Sequence, residues 1–307
     1  MKISTNQYFR SMGQFISDQQ DSIAKTQVRI AKGDNLATPS DGPKAATKSL
    51  DIKSLIKRND DFLENLKVLD GRLSEQESII ISIRDLLSRV KEITLRAASS
   101  TYDSKSREAF SVEISAYRDE ILKLSNSVDV GGAYIFAGMQ NGSPPFVAND
   151  EGKILYQGDQ RRVSIAVDAG QSMQLNATED DLYPVILREG NGGAFEKVRI
   201  FDVLDDLASG ILAENNEEIQ RGLSEIDSAA TGVDNYIVDI GVRRKVIETK
   251  LDITDERRLA LTQLYARERE LDYSKAVTEL SAQMLALEAA QSSMAKVSQL
   301  TLFNYIK

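Results

Sequence analysis

Cysteine, histidine and tryptophan are all absent from the 307 residues. Without thiols there is no disulfide framework, thiolate nucleophile or thiolate metal site, and without imidazole the commonest general base and transition-metal ligand is missing. Most catalytic templates fail at this step, so no catalytic, cofactor-binding or metal site is expected. Lys and Arg are nowhere dense, and the net charge of −9 argues against nucleic acid or an anionic membrane surface as a partner. No apolar run reaches membrane-spanning length, and Met1–Gln7 lacks the apolar core of a secretory signal. On those criteria alone the chain reads as cytoplasmic. Proline is scarce, with five in all and none after Pro184, which leaves the rest of the chain free to be helical.

What the sequence does contain is helical periodicity. Phe62, Leu66, Leu69, Leu73, Gln76, Ile80, Ile83, Leu87, Val90, Thr94 and Ala97 step by four and three without a slip, a heptad seam that predicts one long helix from Pro43 to Ala98. At roughly 1.5 Å per residue it would be about 84 Å long. Ser40 or Asp41 suits its cap and Pro43 its first turn. After a break at Ser99–Asp103 a second seam, Phe110, Ile114, Tyr117, Ile121, Leu124 and Val128, is expected to fold back along the first.

Gly131-Gly132 ends that pattern. Short apolar runs then appear at Ala133–Ala137, Ile154–Tyr156, Val163–Val167 and Met173–Leu175, punctuated by Gly, Asn, Asp and Pro144-Pro145, and they predict a β-rich insert over 131–197. Helix resumes with Leu204, Leu207 and Ile211, then Ile219, Leu223, Ile226, Ala230, Val233, Ile237 and Ile240. It is expected to continue through Leu251, Leu264 and Leu271 to the end of the chain. Asp180-Asp181 and Asp205-Asp206 are the best carboxylate pairs for acid–base or cation chemistry, but adjacent side chains rarely converge on one point. Arg243-Arg244 could pair with acids across the helices. The glycines at 131, 132 and 138 read as turns, and Asn176-Ala177-Thr178 as a chance glycosylation tripeptide.

The two ends are the unusual part. Residues 5–31 form a weakly driven amphipathic helix containing Tyr8, Met12, Phe15, Ile16, Ile23 and Ile30. At the other end Val277, Leu280, Met284, Leu287 and Met294 line one seam, and Lys296 is the only charged residue from Ala289 to Ile306. Two such thin seams can cover each other only in part, so the ends read as an interface that other subunits complete. Met12, Phe15, Ile16, Met284, Leu287, Met294, Leu300 and Leu302 are the candidate interface residues. The expected fold is mainly α with a β-rich insert: an elongated antiparallel helical hairpin or coiled-coil stalk formed by both chain ends, with a small β domain at the tip.

Three stretches carry a resemblance to the bacterial flagellin family, and within it to proteins of the hook–filament junction. Met1-Lys2-Ile3-Ser4-Thr5 with Gly33 and Pro39-Ser40-Asp41-Gly42-Pro43 is similar to the family's N-terminal signature, with Gly42 where Asp is usual. Gly131-Gly132-Ala133-Tyr134-Ile135-Phe136-Ala137-Gly138 with Pro144-Pro145-Phe146 looks like the entry into the junction protein's outer domain, and Lys296–Ile306 resembles its tail. The resemblance implies a terminal polymerisation domain (1–42 plus 268–307), a helical stalk (43–130 plus 198–267) and an outer insert (131–197). It implies self-association in a ring, hook-side and filament-side neighbours, and type III export through the flagellar apparatus with an export chaperone. It also replaces the cytoplasmic reading with an extracellular one, at the flagellum and without a cleaved signal peptide. Filament flagellin itself, or an unrelated coiled-coil adaptor, are the alternatives.

Overall fold

A computed structural model of the chain describes residues 2–36, 38–39, 42–99, 102–183, 185–189 and 195–303, with the side chains of 2–5, 189 and 299–303 excluded. Its elements, in chain order, are α1 (Lys2–Lys32), α2 (Pro43–Ala97), α3 (Ser104–Ser125), β1 (Phe146–Ala148), β2 (Ile154–Tyr156), β3 (Ser164–Asp168), β4 (Gln171–Gln174), α4 (Glu179–Leu182), β5 (Ile186–Glu189), β6 (Phe195–Val198), α5 (Ile200–Leu212), α6 (Asn216–Arg269) and α7 (Tyr273–Phe303). Among the described residues the chain is mainly helical, with three separate antiparallel strand pairs, β1–β2, β3–β4 and β5–β6. It divides into two compact units, residues 61–255 and the combination of 1–60 with 256–307.

In the first of these units, α2 buries the seam its sequence announces: Leu66, Leu69, Leu73, Gln76, Ile80, Ile83, Leu87, Val90, Thr94 and Ala97 are all buried, and only Phe62 at the start is half-buried. α6 runs antiparallel to it. Asp70 and Glu77 take Arg244 at 3.0 and 2.7 Å, Gln76 takes the Tyr236 hydroxyl at 3.2 Å, and Lys91 takes Asp227 at 2.5 Å. Arg244 thus pairs across the helices as expected, whereas Arg243 pairs within its own helix with Asp239. The helix α6 runs unbroken through Gly232 and Gly241.

The buried face of α6 differs from the expected one at alternate steps. Ile219, Gly222, Ile226, Ala229, Val233, Tyr236 and Ile240 are buried, while Leu223, Ala230 and Ile237 are only half-buried. At Gly222 the reason is α5: a Cβ there would lie 2.8 Å from Leu207 Cδ1, so the absent side chain admits that helix, whereas Tyr236 turns toward Gln76 of α2. α3 packs against α5, with Ser111 Oγ donating to Ala208 O at 2.8 Å and Arg118 reaching Asp205 at 2.8 Å. α3 ends at Ser125, so Val128 lies beyond the helix and is exposed, contrary to the seam assigned to it.

The insert joins the helical core through aromatic rings. Phe146 meets Tyr156 (5.2 Å) and Phe201 (5.6 Å) with tilted rings, Tyr183 meets Phe201 edge-on (5.7 Å), and Tyr183 Oη shares a 2.7 Å hydrogen bond with Ser125. β3–β4 is tied to α2 by Asn65 Nδ2 donating to Ala166 O at 2.8 Å, and to α6 by Lys250 Nζ donating to Gln171 Oε1 at 2.6 Å. The expected strand at Ala133–Ala137 is instead a run of turns that buries Phe136, with Tyr134 forming an isolated bridge to Val128. Gly138 closes this run at φ 68°, where a Cβ would collide with the Asp159 carbonyl; Asp159 Oδ1 accepts from Met139 N at 2.6 Å.

In the other unit, Asp60 takes Arg258 at 2.8 Å and Lys48 pairs with Glu268 between α2 and α6. The capping positions Ser40 and Asp41 lie outside the described residues. The helix expected to run on through Leu271 is interrupted at 270–272, between α6 and α7.

Candidate assembly interface

α1 and α7 pack as an antiparallel pair whose inner face is polar and small. Gln19 Nε2 donates to Gln283 O at 3.2 Å, Gln283 Nε2 to Ser22 Oγ at 3.0 Å, and Arg29 reaches Glu279 at 3.5 Å. Among the described side chains, those fully buried are Thr26, Ala276 and Ala290, together with Leu271 next to α7. Such a seam contributes little: Ala and Thr remove small apolar areas from water at about 25 cal/mol per Å². The Gln283 side-chain oxygen is moreover buried without a hydrogen-bond partner.

α7 meets α1 with Ala276, Leu280, Gln283, Leu287, Ala290, Met294 and Val297, which step by four and three and are buried or half-buried. The seam expected from sequence shares Leu280, Leu287 and Met294, but its other members, Val277 and Met284, are 51% and 55% exposed. α7 therefore carries two overlapping heptad seams that share one set of positions. One faces α1. The other is open. Leu285, 68% exposed, extends the open side, and a groove of about 520 Å³ lined by Ile23, Met284, Leu285, Leu287 and Gln291 runs beside it.

Of the candidate interface residues, Met12, Ile16, Leu287 and Met294 are half-buried, and Phe15 and Met284 are exposed. The side chains of Leu300 and Leu302 lie outside the described residues. Sequence reasoning missed Val28 and Leu285, both exposed and apolar, because neither falls on the seam it traced. It also missed the polar inner face: Gln19, Thr26 and Gln283 occupy heptad positions, but apolar counting passes over them.

The ends of both helices meet at a joint. Asn35 N donates to Arg269 O at 2.7 Å and Leu271 N to Gly33 O at 3.2 Å, forming an isolated antiparallel bridge between Asp34 and Glu270. Asp34 pairs with Arg269, and Arg29 donates to Asn35 Oδ1 at 2.8 Å. Burial works to raise the Asp34 carboxyl, but Arg269 and the Leu36 N–H together hold it below its ordinary value.

The carboxylate pairs diverge. Asp205 goes to Arg118 and Asp206 to Arg188, whose guanidinium also holds Glu225 at 2.7 Å; Asp181 takes Arg162 while Asp180 points to solvent. Burial raises Asp205 despite Arg118. Among the described residues no group of three or more acidic side chains could hold a metal ion, and no helix is long and apolar enough to cross a membrane. Asn176 is engaged by Val163 N and Arg161 O.

Residues 3–141 match the bacterial flagellin N-terminal helical region. The chain is a relative of flagellar hook-associated protein 3: it is 23% identical to that of Escherichia coli, with all of both chains covered, and 22% identical to that of Salmonella typhimurium, with 99% of each covered. Its fold is that of a flagellar hook-associated protein from Vibrio parahaemolyticus (TM-score 0.67, 21% identity, 75% of this chain and 100% of that one). It is likewise that of hook-associated protein 3 from Legionella pneumophila (TM-score 0.65, 16% identity, 70% and 97%). These similarities support a structural role in the bacterial flagellum.

Proposed function

We propose that this relative of hook-associated protein 3 is a non-enzymatic part of the flagellum that assembles through its terminal helices as a ring at the hook–filament junction. The observation that carries the reading is the second seam of α7, Val277, Met284 and Gln291 with Leu280, Leu287 and Met294, which α1 leaves open. A helix with two overlapping heptad seams is suited to packing between two neighbours at once, as in a closed tube of helices. Neighbouring subunits then cover Met12, Phe15, Ile16, Met284, Leu287, Met294, Leu300 and Leu302, and the apolar area gained offsets the entropy of ordering the ends.

In this reading residues 1–42 and 268–307 polymerise, 43–130 with 198–267 form the stalk, and 131–197 form the outward part. Hook-side and filament-side proteins are the neighbours along the axis. The chain leaves the cell through the flagellar export apparatus, with a chaperone and without a cleaved signal peptide. The test is deletion of Ser298–Lys307. Stalk melting is expected to stay unchanged while incorporation at the junction is lost. Normal incorporation of the truncated chain refutes the terminal interface, and long filaments grown by the purified chain without preformed hook would favour filament flagellin.

A further inference from the structure

Asn-Gly is a dipeptide of tight turns whose two central residues both take a positive φ, which glycine and asparagine tolerate. Asn141-Gly142 forms a turn of another kind. Neither residue has a positive φ, and a Cβ added at Gly142 would meet nothing within 4 Å. The fold therefore has no steric use for glycine at 142. Nor does it use the asparagine side chain. Among the described residues no hydrogen bond engages the Asn141 carboxamide or the Gly142 N–H; what is taken is the Asn141 main-chain carbonyl, by Tyr134 N at 3.0 Å.

The neighbouring asparagines are held. Asn126 accepts from Phe146 N at 3.0 Å and donates to Phe146 O at 2.8 Å, and Asn176 does the same between Val163 N (2.7 Å) and Arg161 O (2.9 Å). Asn149 Oδ1 accepts from Glu151 N at 3.0 Å and Lys153 N at 2.8 Å. Asn65 and Asn235 lie inside α2 and α6, where the following N–H belongs to the helical ladder. Among the described residues Asn141 alone joins an exposed, unheld carboxamide to a following glycine, whose missing side chain leaves the backbone nitrogen free to approach the carboxamide carbon. The other Asn-Gly, at 191–192, lies outside the described residues.

We propose that Asn141 is a self-acting modification site. The Gly142 backbone nitrogen, giving up its proton to hydroxide, attacks Asn141 Cγ. The new C–N bond closes a succinimide ring, and the side-chain nitrogen leaves as ammonia. Water then opens the ring at either carbonyl, leaving aspartate or isoaspartate. No oxidant, reductant or second protein takes part. Each event adds a negative charge, and the isoaspartate route carries the backbone through the former side chain, in the turn that holds Tyr134. A subunit thus acquires, at the entry to its insert, a mark of the time since its synthesis. This goes beyond the assembly reading and does not depend on it.

The test incubates the folded full chain over a series of neutral to mildly alkaline pH values and follows the tryptic peptide Leu124–Lys153 by mass spectrometry, with fragmentation to place the change. That peptide contains Asn126 and Asn149 as internal controls. Conversion to aspartate and isoaspartate is expected at Asn141, faster as pH rises, while Asn126 and Asn149 keep their amides. Gly142→Ala is expected to leave the melting temperature unchanged, since its Cβ has open space, and to lose most of the conversion. The proposal is overturned if Asn141 keeps its amide as long as Asn126 and Asn149 do, or if the Gly142→Ala chain converts as fast as the parent.

Discussion

The terminal pair is built with a defect whose repair can be measured. Gln283 lies in the α1–α7 seam, donating to Ser22 Oγ while its own side-chain oxygen is buried without a partner. An unsatisfied buried acceptor costs about 1–3 kcal/mol, and the hydrogen bond to Ser22 returns about 1 kcal/mol. Ser22→Ala with Gln283→Leu removes the orphan and its bonded neighbour together and adds apolar area at the contact, so the pair should gain roughly 1–2 kcal/mol. That is a factor of about 5–30 in the open-to-closed ratio. Amide exchange in the isolated subunit reads it directly: α1 and α7 should slow by that factor while α3, in the other unit, is unchanged. The reasoning fails if α1 and α7 exchange as fast as before, or if in the parent chain they already exchange as slowly as α3.

Leu73→Asp places a charge at a fully buried seam position of α2 and should cost roughly 4 kcal/mol or more, seen as a large loss of helicity and melting temperature; unchanged melting would refute the register. The joint should also respond to acid. Because the folded state depresses the Asp34 carboxyl below its ordinary 3.8, its contribution is present above that value and is lost as pH falls through the lower folded value. Exchange at the Leu271 amide should therefore accelerate only in strong acid, and Asp34→Asn should abolish that acid step.

α2 was legible almost residue by residue, because its seam is nearly all large aliphatics facing one partner. α6 was legible only at alternate positions. Gly222 and Ala229 give apolar counting little to find, and the burial of Gly222 follows from α5 lying close enough to use the space a glycine leaves. In α7 the expected seam proved to be the open one, offset from the seam that α1 covers, since both are apolar and only the packing decides between them. Ala133–Ala137 looked like a strand because its apolar run is the length of one, but the run is needed to sink Phe136 through a turn. The interruption at 270–272 has one local signal, Asp272, whose carboxylate accepts from Lys275 N at 3.1 Å and caps α7. Its other determinants, Gly33, Asp34 and Asn35, lie some 235 residues earlier and reach it through Asn35 N to Arg269 O and Leu271 N to Gly33 O. Phe15 and Met284 were found from the seam, whereas Leu285 and Val28 needed the structure.

The contact between Gln76 and Tyr236 works as an indexing pin. Most of the α2 seam is interchangeable aliphatic surface, and a partner helix could slide along it by seven residues and find much the same grip. After a slip in one direction the Tyr236 hydroxyl would face Leu69 and the Gln76 amide Ala229, each buried without a partner, and after a slip in the other the hydroxyl would face Ile83. Burial already pushes the Tyr236 pKa well above its usual value, so the hydroxyl keeps its proton as a donor at any physiological pH. One polar pair in an oily seam thus does for α2 and α6 what a notch does for two smooth rulers, allowing a single alignment and so setting where each turn of α6 must stand.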